Sequence, residues 1–376
     1  TGSAAMYLNT GSFNTATGFG SLNIHTTGSY NTANGYLTLA SNTTGSYNVA
    51  EGAYAGYRIL NVTANPNTII GANALHGGDA TPANNTASDN VAIGYRSMYG
   101  TVGSASTGTQ NVAVGNNAMR FNTTGGFNTA NGTNALNANL TGTGNTAIGN
   151  SSLWQNISGN FNVSVGFSSL ANTTGNYNTG VGEQSLSLNT TGNYNSAFGN
   201  LANVSIGTLT NATAIGYNSA VNASNKVRIG NTTVTVVEGP VAYTFSDGRF
   251  KTNVTEEVQG LAFITKLRPV VYNLDTRKVD EFLTKNMPDS IRAERMKNQD
   301  YKPSTAIRQS GFIAQEVEQA AKAIGYNFNG VHIPENENDN YSVSYQTIVV
   351  PLVKAVQEQQ QTIELLLKRI EALEKK

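Results

Sequence analysis

The sequence predicts a mainly β protein, in which a β-solenoid of 17-residue repeats is followed by a small α+β domain that ends in a coiled-coil helix. Three observations indicate this. Glycine recurs at steps of 16 or 17 residues over long stretches before residue 220. Residues 1–240 hold only five of the 23 acidic and five of the 23 basic residues, so a domain boundary is expected close to residue 240. The final segment, 349–376, carries a heptad pattern.

The repeat unit is roughly T-G-N-Y-N-T-A-I-G-N-x-S-L-x-x-N-T, and internal repetition of this length is typical of a solenoid. A glycine marks each unit, and an asparagine lies four residues before nearly every one. The glycines are Gly18, Gly35, Gly52, Gly115, Gly132, Gly149, Gly166, Gly182, Gly199 and Gly216. The asparagines are Asn14, Asn31, Asn48, Asn111, Asn128, Asn145, Asn162, Asn178 and Asn195.

Each unit contains the alternation of a short strand, as in NTAIG and NVAVG. Val112 and Val114 are expected to face one side of the strand, and Ala113 and Gly115 the other. Small residues on that second side would let neighbouring chains approach closely. The NTTG segments are turns, because Asn and Gly tolerate positive φ. About twelve coils stacked at about 4.8 Å would form a rod roughly 55–60 Å long.

Two alternatives to the solenoid are weaker. A helix is disfavoured because each glycine in a helix interior costs about 1 kcal/mol. Disorder suits a polar, Gly-rich composition better, but it does not require apolar residues to recur in register. The leucine that follows each strand gives every coil a second apolar point, as at Leu136, Leu153, Leu170 and Leu186.

The repeat spacing lengthens between Gly52 and Gly115, where the extra residues are expected to form loops. The loop candidates are Asn61–Pro66, His76–Ser88 and Gly100–Thr107; they could carry recognition or reflect neutral drift in length. One aromatic column could offer a platform for sugar rings, but rings that stack and shield a coil corner are the favoured interpretation. Its members are Phe13, Tyr30, Tyr47, Phe127, Phe161, Tyr177 and Tyr194.

Composition excludes several classes of function. The formal net charge is zero, so a general affinity for nucleic acid is not expected. The chain has no cysteine and three scattered histidines, so no metal site or other cofactor is expected. A glycosidase is not expected either, because Asp79 and Asp89 are the only nearby carboxylate pair in the repeats. No apolar run approaches about 18 residues, so membrane insertion is not predicted.

The region after residue 240 reads as an α+β domain. Apolar residues at Val258, Leu261, Ile264 and Leu267 predict a helix that stops before Pro269. VVYNL predicts a strand, and GFIAQEVEQAAKAIG a strand that runs into a helix. The predicted divisions are a solenoid over 1–224, a neck or linker over 225–245, an α+β domain over 246–348 and a coiled coil over 349–376.

The last helix carries an a/d seam, with one polar member. A helix docked on its own domain is the alternative, but the 3.5-residue spacing persists for almost four heptads. Isoleucine at a with leucine at d favours dimers in simple peptides, so the pattern alone does not give three strands. The a positions are Val349, Val356, Ile363 and Ile370, and the d positions are Leu352, Gln359, Leu366 and Leu373.

The stretch NATAIGYNSAVNASNKVRIGN ends the repeat region. On it, residues 205–235 resemble the head repeats and neck of trimeric autotransporter adhesins and the collars of phage tail fibres.

A second set of motifs follows, in the order Ser246-Asp247-Gly248-Arg249-Phe250-Lys251, Leu267-Arg268-Pro269, Tyr272, Gly311-Phe312-Ile313-Ala314-Gln315-Glu316-Val317 and Tyr341 to Tyr345. With these motifs, residues 246–376 resemble the endosialidase-type intramolecular chaperone, although Phe250 stands where that family commonly has a smaller aliphatic.

The chaperone resemblance implies a homotrimer whose C-terminal region guides folding and is then released by self-cleavage. The scissile bond is Phe245–Ser246, with Ser246 as nucleophile and Lys251 as base. A lysine can act as the base that activates a serine nucleophile. The implied enzyme activity is at most that of a serine peptidase that cleaves its own chain in a single turnover. A spacing of five residues does not place two side chains on one helix face, so the pair must meet in a turn or between subunits. Supporting roles are implied for Asp247, Arg249, Gln315 and Glu316.

The expected function is therefore a trimeric fibre of a phage tail or phage-like injection particle, attached to a host or other surface. A cell-surface trimeric adhesin with the same architecture is the alternative. The implied partners are two further copies of the chain and a surface receptor, with a glycan as one candidate. The location is a virion, an injection particle or the extracellular surface, and the sequence is expected to be a piece of a longer chain.

Overall fold

The computed structural model describes residues 1–59, 66–78, 86–101, 104, 107–237, 246–297 and 299–375. The three predicted loops fall partly outside these ranges, and Asp79 and Phe245 fall wholly outside them. The chain forms two compact units. The first comprises Thr1–Asn231 with Leu283–Asn298, and the second Thr232–Phe282 with Gln299–Lys376.

The first unit is a β-solenoid, as predicted. Thirteen of its strands form one parallel sheet in the order β1 to β11, β13 and β15, and β12 pairs with β14 in a small parallel sheet. The strands are β1 (Thr15–Thr17), β2 (Thr32–Asn34), β3 (Val49–Glu51), β4 (Thr68–Ile70), β5 (Val91–Ile93), β6 (Val112–Val114), β7 (Thr129–Asn131), β8 (Thr146–Ile148), β9 (Val163–Val165), β10 (Thr179–Val181), β11 (Ser196–Phe198), β12 (Asn203–Val204), β13 (Thr213–Ile215), β14 (Ala220–Val221) and β15 (Val227–Ile229).

The interior of each coil is narrow, and the central residue of every three-residue strand before β15 is buried in it. Ala113 is fully buried, whereas Val112 on the same strand is 39% exposed. Leucines such as Leu136 and Leu153 fill the space opposite the strands. The expectation that the small residues would meet neighbouring chains is therefore wrong. They make room for those leucines inside the coil.

The coil corners use left-handed backbone at many residues that are not glycine. Tyr30, Leu136 and Leu153 have φ values of 60°, 52° and 50°. Such a conformation costs a non-glycine residue about 1–3 kcal/mol and persists only where the surroundings enforce it. Hydrogen bonds between coils do so here, for example from Leu136 N to Ser152 O at 2.9 Å.

The repeated asparagine forms a buried ladder along the solenoid. The Nδ2 of Asn145 donates to Asn128 Oδ1 at 3.1 Å and to the carbonyl of Gly159 at 2.8 Å. Its Oδ1 accepts a hydrogen bond from the backbone N–H of Asn162 at 2.9 Å. Each asparagine thus satisfies backbone groups of the neighbouring coils that water does not reach. This explains why asparagine recurs four residues before nearly every repeat glycine.

The aromatic column stacks on itself. Ring centroids lie 5.0 Å apart for Tyr30 and Tyr47, and 5.1 Å apart for Tyr177 and Tyr194, with nearly parallel planes in both pairs. Gly144 interrupts the column beside Phe161. The rings cover one another's faces, which favours the interpretation that they shield the coil corner over a sugar platform.

Residues 283–297 pack with the solenoid. They contain the last two residues of α2 and all of α3, and Arg295 is almost fully buried there. Its Nη1 donates to the carbonyl of Leu201 at 3.0 Å, and its Nη2 to that of Asn218 at 2.6 Å. Helix α3 spans Asp289–Lys297.

The second unit has a small core around Phe263, Val317, Ala320 and Ala321. Strands β16 and β17 form one antiparallel pair, and β18 and β19 another. Its elements, with α2 continuing into the first unit, are a 3₁₀ turn (Gly248–Phe250), α1 (Leu261–Ile264), β16 (Val270–Asn273), α2 (Thr276–Thr284), α4 (Lys302–Ala306), β17 (Arg308–Gly311), α5 (Ala314–Lys322), β18 (Val331–His332), β19 (Ser342–Val343) and α6 (Tyr345–Glu374).

Most predicted elements of this unit are present with altered bounds. The helix predicted across Val258 to Leu267 is confined to α1, because Gly260 precedes it with a non-helical backbone. Helix α6 begins at Tyr345, before the first predicted seam residue. In the part of the chain that the structure describes, no helix combines the length and hydropathy needed to cross a bilayer.

Candidate functional site

A single tight turn brings Ser246 and Lys251 together. The backbone N–H of Phe250 donates to Asp247 O at 3.1 Å, and that of Lys251 to Gly248 O at 3.2 Å. Lys251 then returns to extended backbone. The chain thereby reverses within five residues, and Lys251 Nζ donates to Ser246 Oγ at 3.0 Å. A 3₁₀ turn therefore brings together two side chains that are five residues apart and would not meet on one face of an α-helix.

Asp247 and Arg249 hold this turn in shape. The Asp247 carboxylate accepts from the backbone N–H of Arg249 at 2.9 Å and from its Nε and Nη2. These hydrogen bonds from the Arg249 side chain, and then from its backbone, lower the pKa of Asp247, and Asp247 raises the pKa of Arg249. The guanidinium also lies 5.7 Å from the ring centroid of Phe250. Both residues implied as supports thus contact the turn itself.

The described geometry fits the first step performed by a serine–lysine dyad, in which the lysine activates the serine. Ser246 and Lys251 are within hydrogen-bond reach, as a nucleophile and its base must be. Both side chains are exposed in the single chain. The carbonyl that Ser246 would attack belongs to Phe245, which lies outside the described residues.

The other two implied supports occupy a different cluster. Glu316, in the first turn of α5, accepts hydrogen bonds from Arg268 Nε at 3.0 Å and from Arg268 Nη2. These hydrogen bonds lower the pKa of Glu316 and raise that of Arg268. The bidentate pair ties the Leu267-Arg268-Pro269 motif to the Gly311-to-Val317 motif. Gln315 is exposed beside it and lines a surface pocket that includes Tyr272.

Tyr345 anchors the start of α6 to the β16–β17 pair, a role that the sequence alone did not assign. Its hydroxyl accepts a hydrogen bond from the backbone N–H of Phe312 at 3.1 Å, and the two rings stack. A Cβ on Gly311 would lie only 2.1 Å from that hydroxyl oxygen. Burial, and then the neighbouring Tyr345, raises the pKa of Tyr272. A side chain at position 311 would therefore have to displace the hydroxyl of the tyrosine that begins the last helix.

Helix α6 uses different faces for its own domain and for its heptad seam. Ile348, Pro351 and Ala355 are buried on the domain. Glu358 Oε2 accepts from the backbone N–H of Leu261 at 2.7 Å, which fixes α6 to the start of α1. The apolar seam residues are 47–69% exposed. They are Val349, Leu352, Val356, Ile363, Leu366, Ile370 and Leu373.

The turn, the Arg268–Glu316 pair and α5 all lie within one recognisable sequence segment. Residues 246–326 match the family model of the chaperone of endosialidase. This match confirms the resemblance given by the motifs, and with the solenoid it fits a fibre that carries a C-terminal chaperone. The match ends before α6, so the seam helix lies beyond it. No curated protein and no solved structure matches the chain.

Proposed function

We propose that the chain is one subunit of a homotrimeric fibre of a phage tail or phage-like particle, assembled by its C-terminal region and used for attachment to a surface. The proposal rests on the exposed seam of α6. The chain matches the family model of the chaperone of endosialidase, and it also presents an uncovered coiled-coil face. Seven large apolar side chains in solvent are unusual for a monomer. Packing against the same helix of other copies would cover them.

The solenoid explains why such a device is useful. Its coils resemble one another closely, so neighbouring chains could align in several registers of nearly equal energy. A terminal region that associates first would fix the register and raise the local concentration of the coils. Folding could then propagate away from it. Removal of the region afterwards would leave an assembly that is kinetically stable, since it could not easily refold once opened.

A pair of adjacent leucines tests the assembly role with a matched control. Leu366 lies at a d position of the seam and Leu365 does not, yet both are half or more exposed in the single chain. Burying a leucine contributes about 1.5–3 kcal/mol. We expect Leu366→Asn to weaken the trimer in light scattering over a dilution series, and Leu365→Asn to leave it unchanged. Equal behaviour of the two variants would exclude the a/d seam as the assembly surface.

Self-cleavage is the second part of the proposal. Lys251, once neutral, takes the proton of Ser246 Oγ, and the oxygen attacks the Phe245 carbonyl carbon. The peptide C–N bond breaks, the proton passes to the freed Ser246 amine, and an ester joins the two segments. Water hydrolyses the ester and leaves a carboxylate on Phe245 and a hydroxyl on Ser246. The 3.0 Å contact between Lys251 Nζ and Ser246 Oγ supports the first step.

Intact-mass measurement tests this step. The parent chain should yield a C-terminal fragment that begins at Ser246, and Ser246→Ala should abolish it. Lys251→Met should slow its formation by about 10²-fold or more, since general-base catalysis contributes on that order. Lys266→Met is the control, because Lys266 is another exposed lysine of the same domain. Continued cleavage at this bond in Ser246→Ala would rule out the dyad.

A further inference from the structure

Three of the five basic residues before residue 240 lie in one part of the solenoid, and the other two lie at its end, in and beside β15. The three are Arg58, Arg96 and Arg120; the first two lie where the repeats lengthen, and Arg120 follows that stretch. The same part of the sequence also holds Glu51, Asp79 and Asp89, so it carries no excess of positive charge. The arginines are therefore distinguished by their arrangement and not by a general positive field.

The arginines lie among aromatic rings that occupy equivalent positions in successive coils. Tyr57, His76, Tyr99 and Arg120 each stand five residues after a repeat glycine. The His76 and Tyr99 rings stack with centroids 4.8 Å apart, and Tyr57 lies 5.4 Å from His76. Arg120 Cζ continues the column at 6.0 Å from the Tyr99 ring centroid. A planar cation thus ends a column of planar rings.

Arg96 approaches the same ring from its own coil. Its Cζ lies 5.4 Å from the ring centroid of Tyr99 and 5.1 Å from that of Tyr95. Two guanidinium groups therefore share Tyr99, and their charges repel each other. Tyr95 is 44% exposed, so it leaves an aromatic surface open beside Arg96.

Neither of these two cations is neutralised by the described residues. Among them, no carboxylate forms an ion pair with Arg96 or Arg120, and the Nε–H of each is buried without a hydrogen-bond partner. A buried donor left unpaired costs about 1–3 kcal/mol. An anion that accepted hydrogen bonds from both guanidinium groups would offset the repulsion between them.

We infer that Arg96, Arg120 and Tyr95 form a binding site for a carboxylate-bearing sugar of a surface polysaccharide. The inference rests on the proposed attachment function. The planar fork of arginine matches a carboxylate with two parallel hydrogen bonds. The open face of Tyr95 suits the apolar face of a sugar ring, as aromatic residues often do at recognition sites. Two cations on a chain of zero net charge are too few for a nucleic acid groove.

A glycan array tests the site with the full-length protein. It should display oligosaccharides that contain uronic or sialic acid, the same sugars with the carboxylate esterified, and sulfated sugars. We expect the parent to prefer a carboxylated sugar over its neutral ester. Arg96→Gln with Arg120→Gln should reduce binding at least tenfold, since a charge-assisted hydrogen bond contributes about 1.5–3 kcal/mol and 1.4 kcal/mol is tenfold.

Matched variants separate a recognition role from a structural one. Tyr217 stands one residue after a repeat glycine, as Tyr95 does, and is similarly exposed at 47%. Tyr95→Ala should weaken binding and Tyr217→Ala should not. Arg277→Gln with Lys278→Gln removes the same charge from an exposed helix and should also leave binding intact. Circular dichroism should show that each variant keeps the parental melting temperature to within a few degrees.

The outcomes distinguish this inference from the proposed function. Parental binding that survives in the Arg96/Arg120 variant would overturn the site and leave attachment standing. Equal binding of acidic and esterified sugars, or preference for sulfated ones, would overturn the carboxylate assignment. If the parent bound no sugar on the array and no bacterial surface, both the site and the attachment function would fail.

Discussion

The buried asparagine ladder should contribute more to stability than its small side chains suggest, and Asn145→Ala measures this. The change removes the donor to Asn128 Oδ1, the donor to Gly159 O and the acceptor for both the backbone N–H and the Nδ2 of Asn162. Gly159 O keeps a second donor, Asn156 Nδ2, at 2.9 Å, and Asn162 Nδ2 keeps a second acceptor, Gly175 O, at 2.8 Å. Among the described residues, the Asn162 N–H is therefore the buried group that is left with no partner.

The magnitude follows from these contacts. A buried N–H left unpaired costs about 1–3 kcal/mol, and each further lost hydrogen bond about 0.5–1.5 kcal/mol. With three further hydrogen bonds lost, we expect Asn145→Ala to lower the free energy of unfolding by at least about 2.5 kcal/mol. Asn160 is the control, since its Oδ1 also accepts a backbone N–H, that of Thr143 at 2.9 Å, but at the half-buried coil corner. There water can replace the asparagine, so Asn160→Ala should cost about 1 kcal/mol or less.

Guanidinium chloride unfolding followed by circular dichroism gives the comparison. The slope of the transition should be checked first, because repeat proteins can lose two-state behaviour. Equal losses in the two variants would show that burial of the ladder is not what makes it stabilising. A loss below about 1 kcal/mol for Asn145→Ala would refute the assignment of an unpaired N–H.

Two further predictions concern single contacts. Gly180→Ala should lower the free energy of unfolding by about 1–3 kcal/mol, because the new Cβ would lie 2.7 Å from Ser169 Oγ and 2.9 Å from Ser185 Oγ. Adding Ser169→Ala removes one of these two oxygens, so the double variant should regain part of the lost stability in the same unfolding assay. The pKa of Glu316 is lowered by Arg268, so this pair should stabilise the fold above the ordinary glutamate pKa of about 4.3 and lose that effect as the pH falls through the lowered value. The difference in melting temperature between the parent and Glu316→Gln should therefore shrink from pH 7 to pH 3, and a constant difference would contradict the pairing.

The sequence was sufficient for the architecture of the solenoid. The period, the turn residues and the alternation around Ala113 predict a stacked parallel sheet, which the structure has. The prediction that the small residues of the strands face neighbouring chains was wrong. Alternation defines two faces of a strand, but it does not tell which face is interior. Burial in the coil decides it, since Ala113 is fully buried while Val112 is 39% exposed.

The candidate site was predictable only in part. The motif identified Ser246 and Lys251, but their contact depends on a 3₁₀ turn that no periodicity indicates. The Arg268–Glu316 pair joins residues 48 positions apart, which spacing cannot reveal. The hydroxyl of Tyr345 occupies the space that a side chain at Gly311 would enter. This close approach is visible only once the helix and the strands are packed.

The number of chains in the assembled particle distinguishes a trimeric fibre subunit from an independent monomer. Native mass spectrometry of the freshly purified protein, before separation of any cleaved fragment, measures it. A homotrimer gives a single folded species of three times 39.6 kDa, with the exposed α6 seam covered by its copies. A folded, stable species of 39.6 kDa at micromolar concentration would overturn the proposed assembly.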